Sequence, residues 1–171
     1  VNSLFSLLEE DFIRRDVFDF FRNPCFQAAC KCSNDDVENW LYAAESMGIF
    51  RGFKNLYQTE ELQDLYTWEQ GLKRLRLASI SFDENPAVSC ESIGRLSLIL
   101  EKLYSYRELL TLKLSPDIWH QKLNLFFNEF LDIPQDFALE AIVQFSLDSS
   151  LESLDILQKG DMLLTYQDIR Q

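Results

Sequence analysis

The feature that most constrains the fold of this chain is a helical periodicity of apolar residues that few breakers interrupt. Within 37–47, for example, apolar side chains recur at three- and four-residue intervals and therefore share one face of a helix. Gly and Pro punctuate helices most strongly, and only 5 Gly and 4 Pro occur among the 171 residues. No strand-type alternation is sustained. We therefore predict an all-α fold, built as an irregular helical bundle.

Composition supports a packed core. Hydrophobic residues make up 47% of the chain and include 14 Phe, which is ample apolar surface to offset the entropy lost on folding. The chain starts without Met inside a helical pattern, as expected for a domain excised from a longer protein. We expect a single helical domain over 1–171, with a first half at 1–80, an exposed loop at 81–90 and a second half at 91–171.

Capping signals predict where several helices begin and end. Ser33 and Asp36 have the spacing of a capping box, and Gly48 fits the C′ position of the helix that follows. Thr67 is predicted to cap the next helix, and Ser115 before a proline predicts another start.

Other boundaries follow from proline and from the apolar pattern. The short helix at 17–21 is expected to stop at Pro24. A long helix is predicted over roughly 91–112, and another is predicted to start at Pro134. Weaker helical segments are expected near 151–158 and 161–170.

The charge of the chain limits its partners. A formal net charge of −12 repels phosphate backbones, so independent binding of duplex DNA is not expected, and any nucleic-acid contact would be local. One local reversal of charge exists at Lys73, Arg74 and Arg76. These residues are candidate DNA or interface contacts, with Trp68 nearby as a stacking residue. The competing and favoured interpretation is a solvated face or cations paired with nearby acids, because such pairs are common on surfaces.

Motifs for common chemistries are missing. The glycines form neither a P-loop nor a dinucleotide-binding pattern, so we expect no cofactor. His120 is the sole imidazole, and we interpret it as an ordinary helix residue rather than a catalytic base. The acidic pairs, such as Asp35 and Asp36, diverge by about 100° on a helix and do not converge on one metal ion. We expect no catalytic residue in this chain.

The cysteines do not have the spacing of a zinc site. Cys25, Cys30, Cys32 and Cys90 form no paired Cys-x-x-Cys pattern. We interpret them as reduced thiols of a cytoplasmic protein. No apolar run of eighteen or more residues occurs, so no membrane partner is expected.

Three blocks of the chain, at 17–53, 67–80 and 93–131, carry motifs in the order and spacing of one known family. The second block, TWEQGLKRLRLASI, matches the pattern T-W-x-x-G-L-x-R-L-L-L, with Arg76 where Leu is usual. The places in the three patterns are held mainly by tryptophans, glycines and leucines. The most informative ones are Trp40, Gly52, Thr67, Trp68, Gly71, Leu72, Gly94 and Trp119.

Together these blocks resemble the gamma subunit of exodeoxyribonuclease V, the RecC family. The resemblance implies a large protein built like a superfamily-1 helicase without a working ATPase site, of which this piece would be the 2B-like helical insertion. It also implies a complex with a helicase–nuclease (beta) subunit and a second helicase (alpha) subunit, which unwinds and degrades duplex ends in double-strand break repair and homologous recombination. In that family the gamma subunit scaffolds the complex, splits the strands and scans for a recombination hotspot.

The resemblance leaves three hypotheses to separate. The first is a non-catalytic scaffold and DNA-handling domain, which contacts DNA only as part of the whole subunit. The second is a freestanding helical protein–protein interaction module unrelated to DNA. The third is an enzyme with a carboxylate-bound metal. This hypothesis requires metal-dependent cleavage that is lost when Asp35 or Asp36 is substituted.

Overall fold

The computed structural model describes residues 2–53, 66–80, 89–133, 149 and 163–170. Eight α-helices, one 3₁₀ helix and two short strands lie in these ranges. In chain order they are α1 (Asn2–Glu9), α2 (Arg14–Phe21), α3 (Pro24–Cys30), α4 (Asn34–Ser46), α5 (Trp68–Ile80), α6 (Cys90–Ser105), the 3₁₀ helix (Tyr106–Thr111), β1 (Lys113–Leu114), α7 (Pro116–Phe130), β2 (Leu164–Thr165) and α8 (Tyr166–Arg170). The chain is mostly helical, whereas the prediction of an all-α fold missed the small sheet of β1 and β2.

The capping chemistry confirms two predicted helix boundaries. At the start of α4, the Ser33 hydroxyl accepts a hydrogen bond from the Asp36 N–H at 3.1 Å, and the Ser33 N–H donates to Asp36 Oδ2 at 2.8 Å. Each bond satisfies a backbone N–H that has no partner in the first turn. At the other end, Gly48 has a φ of 65° and follows the C-cap residue Met47, as the C′ position requires.

The predicted short helix does end before Pro24, but a further helix that was not predicted begins there. Helix α2 already ends at Phe21, and Pro24 begins a new helix, α3. Asn23 caps α3, because its side-chain oxygen accepts a hydrogen bond from the Cys25 N–H at 2.9 Å. The signal was present in the sequence, since Pro fits the first position of a helix as well as it ends one.

The predicted long helix over 91–112 is also corrected. Helix α6 ends at Ser105, and the chain continues as the 3₁₀ helix to Thr111. Strands β1 and β2 then pair antiparallel, with Lys113 opposite Thr165 and Leu114 opposite Leu164. Strands of two residues are too short to show an alternation in the sequence.

The chain divides into two compact units. The first comprises Val1–Arg22 and Cys32–Ser105, and the second comprises Asn23–Lys31 and Tyr106–Gln171. The predicted loop at 81–90 lies mostly outside the described residues, so the division into halves at that loop stays a prediction. The predicted helices after Pro134 and at 151–158 also lie outside the described residues.

The first unit has an aromatic core. Helix α4 packs against α2, α5 and α6, while α1 packs against α2 and α5 against α6. Trp40 and Trp68 are fully buried, and Phe21 meets Trp40 edge to face with ring centroids 6.2 Å apart. The indole N–H of Trp40 donates to Ser92 Oγ at 2.8 Å. Each buried indole thus contributes apolar area and a satisfied polar group.

The second unit is built around α3 and α7. Trp119 is fully buried, and its indole N–H donates to the Leu164 carbonyl oxygen at 2.9 Å. Tyr106 packs on Phe126, with ring centroids 4.5 Å apart. The pKa of Tyr106 is raised to about 12, mainly by burial and to a smaller extent by a hydrogen bond with Glu129. Trp119 therefore ties α7 to the strand pair.

Candidate interface on helix α5

Helix α5 begins where the sequence predicts. The Thr67 carbonyl oxygen accepts the first helical bond from the Gly71 N–H at 2.9 Å, and the Thr67 hydroxyl accepts from the Gln70 N–H at 3.4 Å. Thr67 is buried, so its hydroxyl satisfies a helix N–H that water does not readily reach. The predicted cap is confirmed.

Trp68 fastens the start of α5 to the rest of the first unit. Its backbone N–H donates to the Gly52 carbonyl oxygen at 2.9 Å, and its indole N–H donates to the Phe12 carbonyl oxygen at 2.7 Å. Phe12 has a φ of 48°, which is uncommon for a bulky residue. Gly52 has a φ of 74° and donates its N–H to the Asp11 carbonyl oxygen at 2.6 Å. Trp68 and Gly52 therefore hold an unusual backbone turn in place.

Gly71 permits a close approach. An ideal Cβ built at Gly71 would overlap Cγ1 and Cδ1 of Ile49. Ile49 is fully buried, and its carbonyl oxygen accepts a hydrogen bond from Arg14 Nη1 at 2.9 Å. The helix therefore needs a residue without a side chain at this position, which explains a glycine in its first turns.

Arg74 stabilises the end of a neighbouring helix. Its Nη2 donates to the carbonyl oxygen of Met47, the C-cap residue of α4, at 2.7 Å. The last carbonyl groups of a helix have no partner within that helix and carry partial negative charge. The guanidinium group of Arg74 supplies both the missing hydrogen-bond donor and a positive charge, so Arg74 acts as a structural cation.

Lys73 and Arg76 lie on the exposed side of α5, and both are paired with acids. Lys73 Nζ lies 3.2 Å from Glu69 Oε1, and Arg76 Nη2 lies 3.2 Å from Glu101 Oε1. The side chains of Lys73 and Arg76 are 54% and 46% exposed. The four charged side chains of these two ion pairs, together with Phe53 and Leu72, line a cleft of about 170 Å³. Its two cations and two carboxylates give the cleft a formal charge of zero.

Sequence reasoning missed the partners of the other tryptophan in the first unit. Besides Ser92, Trp40 meets the guanidinium of Arg95, which lies 5.9 Å from the ring centroid. Both partners are on α6, and only the long-range packing of α4 on α6 brings them to Trp40. A cation over an indole face is a favourable arrangement, but no spacing in the sequence indicates it.

The thiols and carboxylates of this chain are side-chain groups whose chemistry suits a metal site or, for the thiols, a nucleophile. In the part of the chain that the structure describes, no group of three or more His, Cys, Asp or Glu residues could hold a metal ion. Burial raises the pKa of the Cys32 thiol, which disfavours the reactive thiolate. Nor does any helix of the described ranges combine the length and apolarity that a membrane span requires.

The chain matches a known protein family. The family model for the fourth domain of RecC, a subunit of the RecBCD enzyme, matches residues 1–171. None of the curated proteins is significantly similar to this chain.

Proposed function

The chain belongs to the RecC family, as the fourth domain of this RecBCD subunit, and on that premise we propose that it is a non-catalytic scaffold and DNA-handling domain. It would act in double-strand break repair and recombination, together with the helicase–nuclease (beta) and second helicase (alpha) subunits. The observation that carries the proposal is the family match over the whole chain. The 2B-like helical insertion predicted from the resemblance remains part of this proposal.

The contacts of the family-pattern residues support a scaffold. Thr67 caps α5, Trp68 binds the Phe12 carbonyl, Gly71 admits Ile49, and Arg74 closes the end of α4. All four act on the internal architecture of the first unit. Residues used in this way fix the shape that a domain presents to its neighbours.

The DNA-handling part of the proposal rests on Lys73 and Arg76. Exposed ion pairs contribute only about 0–1 kcal/mol each, so a phosphate group can replace Glu69 or Glu101 at small cost. The net charge of −12 opposes contact with phosphates over most of the surface, so a phosphate contact has to be local, and Lys73 and Arg76 are the candidates for it.

The other two hypotheses have weaker support. Membership in the RecC family favours a domain of that subunit over a freestanding module unrelated to DNA. For a carboxylate-bound metal, Asp36 is poorly suited, because one of its oxygens already accepts hydrogen bonds from the Ser33 N–H and hydroxyl, at 2.8 and 2.9 Å.

Assembly of the complex tests the scaffold. A RecC subunit from which residues 1–171 are deleted should fail to form a stable three-subunit complex in size-exclusion chromatography. The intact subunit should form this complex. The purified 171-residue chain should be helical by circular dichroism and should not cleave DNA in the presence of Mg²⁺. Cleavage that disappears on changing Asp36 to Asn would instead establish the metal-dependent enzyme.

Salt-dependent binding tests the DNA contact. In the complete complex, Lys73→Ala with Arg76→Ala should weaken binding to duplex ends and reduce the slope of log K against log salt by about 2, because two phosphate contacts are lost. The matched control is Arg15→Ala with Lys122→Ala, which removes the same charge from two other exposed ion pairs. If the two double variants bind alike, the DNA contact is rejected while the scaffold stands.

A further inference from the structure

In the described part of its unit, no neighbouring atom explains the glycine at position 94. It lies within α6, where glycine costs about 1 kcal/mol of helix stability relative to alanine. In the described part of the unit, no atom outside the adjoining stretch of α6 backbone and the two chain neighbours lies within 4 Å of an ideal Cβ built at Gly94. The backbone of Gly94 also does not take the left-handed conformation that favours glycine. Gly71 is the opposite case, since Ile49 occupies the space that its side chain would need.

An exposed leucine lies on the same side of α6. Leu98 follows Gly94 by four residues and is 60% exposed, and Glu101 follows by seven. Residues at these spacings share one face of a helix. We call the three residues the Gly94–Leu98 face. Gly94 leaves a gap in the helix surface, Leu98 provides an apolar side chain beside it, and the ion pair of Glu101 with Arg76 forms a charged edge.

We propose that the Gly94–Leu98 face is a docking surface for another domain of the same RecC subunit. In this arrangement, a backbone segment of that domain lies against α6 at Gly94, and its apolar side chains cover Leu98. A glycine on a helix surface allows the closest approach of a second backbone, which gives the residue a purpose that offsets its cost. The proposal requires family membership but not the DNA contact at Lys73 and Arg76.

The choice of a domain from the same chain follows from family and size. The family model describes a fourth domain, so the subunit contains further domains. The face offers one leucine beside an exposed ion pair, a small apolar area with a polar rim. Interfaces between domains of one chain are commonly small and polar, because the covalent connection raises the effective concentration of the partner surface. Stable contacts between separate chains usually bury about 1,200–2,000 Å² around a larger apolar centre.

Cysteine labelling in the complete subunit tests whether the face is covered. Leu98→Cys is treated with a maleimide, and its modification rate is followed by peptide mass spectrometry relative to the same thiol in the unfolded subunit. In the free, folded subunit we expect labelling at least about tenfold slower than for an open position, because a covered residue reacts only in the undocked fraction. Fast labelling of the introduced thiol in the free subunit would overturn the proposal, even if it slowed on assembly with the other two subunits.

A second substitution tests the close approach at Gly94. Gly94→Leu added to Leu98→Cys should block docking and restore fast labelling, since a Cβ atom at this position meets no neighbouring element in the described part of the unit. The control is Leu125→Cys on α7, a leucine exposed to 66%, whose rate Gly94→Leu should not change. An unchanged labelling rate at position 98 would refute the close approach.

Cross-linking identifies the occupant. A benzophenone maleimide attached to the thiol of the Leu98→Cys variant should link, on irradiation, to a peptide of the RecC subunit outside residues 1–171. A link only to the beta or alpha subunit, or only within residues 1–171, would contradict docking by another domain of the same chain.

Discussion

Gly71→Ala offers the sharpest test of the packing around α5. Alanine improves helix propensity by about 1 kcal/mol, so an unconstrained helix glycine would become more stable on this change. Here the added methyl group meets two side-chain carbons of Ile49. Ile49 is fully buried, and its N–H and carbonyl oxygen are hydrogen-bonded to Ala44 and Arg14 at 3.0 and 2.9 Å. Since overpacking a well-packed core costs about 1–3 kcal/mol and Ile49 has little freedom to move, we expect a net loss of about 1–2 kcal/mol.

Urea unfolding of the 171-residue chain, followed by circular dichroism, measures this loss. Ile49→Ala alone lowers stability, but in that background the effect of Gly71→Ala should reverse its sign, because the clashing side chain is gone and only the propensity gain of about 1 kcal/mol remains. Gly94→Ala is the matched control and should stabilise the isolated chain by about 1 kcal/mol. If Gly71→Ala alone raises stability as Gly94→Ala does, the close approach to Ile49 does not constrain the helix.

Three further changes probe the hydrogen bonds around this helix by the same urea assay. Arg74→Met should cost about 1–2 kcal/mol, because the Met47 carbonyl oxygen loses a charged donor at 2.7 Å; an effect below about 0.5 kcal/mol would show that water replaces it. Trp68→Phe should cost about 1–3 kcal/mol by leaving the buried Phe12 carbonyl without its indole donor, and an unchanged stability would contradict that bond. Asp36→Asn should cost roughly 0.5 kcal/mol at pH 7. Because hydrogen bonds from the N-cap residue lower the pKa of Asp36 in the folded chain, its stabilisation should be complete above the ordinary pKa of about 4 and should disappear as the pH falls through the lower folded value; a difference independent of pH from about 2 to 7 would contradict it.

Local chemistry made much of the fold predictable from sequence. A cap such as Thr67 acts on backbone groups a few residues away, so its type and spacing carry the signal. The same holds for Ser33, whose spacing to Asp36 predicts the capping box. The missed helix, α3, shows the limit, because Pro24 is compatible with the end of one helix and with the start of the next.

The candidate site was less predictable, because the partners of Arg74 and Arg76 come from distant parts of the chain. The sequence presents Lys73, Arg74 and Arg76 as one basic cluster. Packing separates them, since Arg74 reaches the end of α4 while Arg76 reaches Glu101 on α6. Lys73 pairs with Glu69 four residues earlier on α5, which the helical spacing indicates. Which groups meet Arg74 and Arg76 depends on how α4, α5 and α6 pack, and no periodicity within α5 contains that information.

The two helix glycines show that a residue of a domain can be constrained either by packing within the domain or by contact with the rest of the subunit. Both Gly71 and Gly94 hold places in the RecC pattern, and both cost helix stability. Gly71 is accounted for by Ile49 within the same unit, so its constraint belongs to folding. Gly94 faces no such neighbour in the described residues of that unit, so the isolated chain should gain stability from alanine there. If the complete subunit loses domain docking from a larger side chain at the same position, the constraint on Gly94 belongs to assembly.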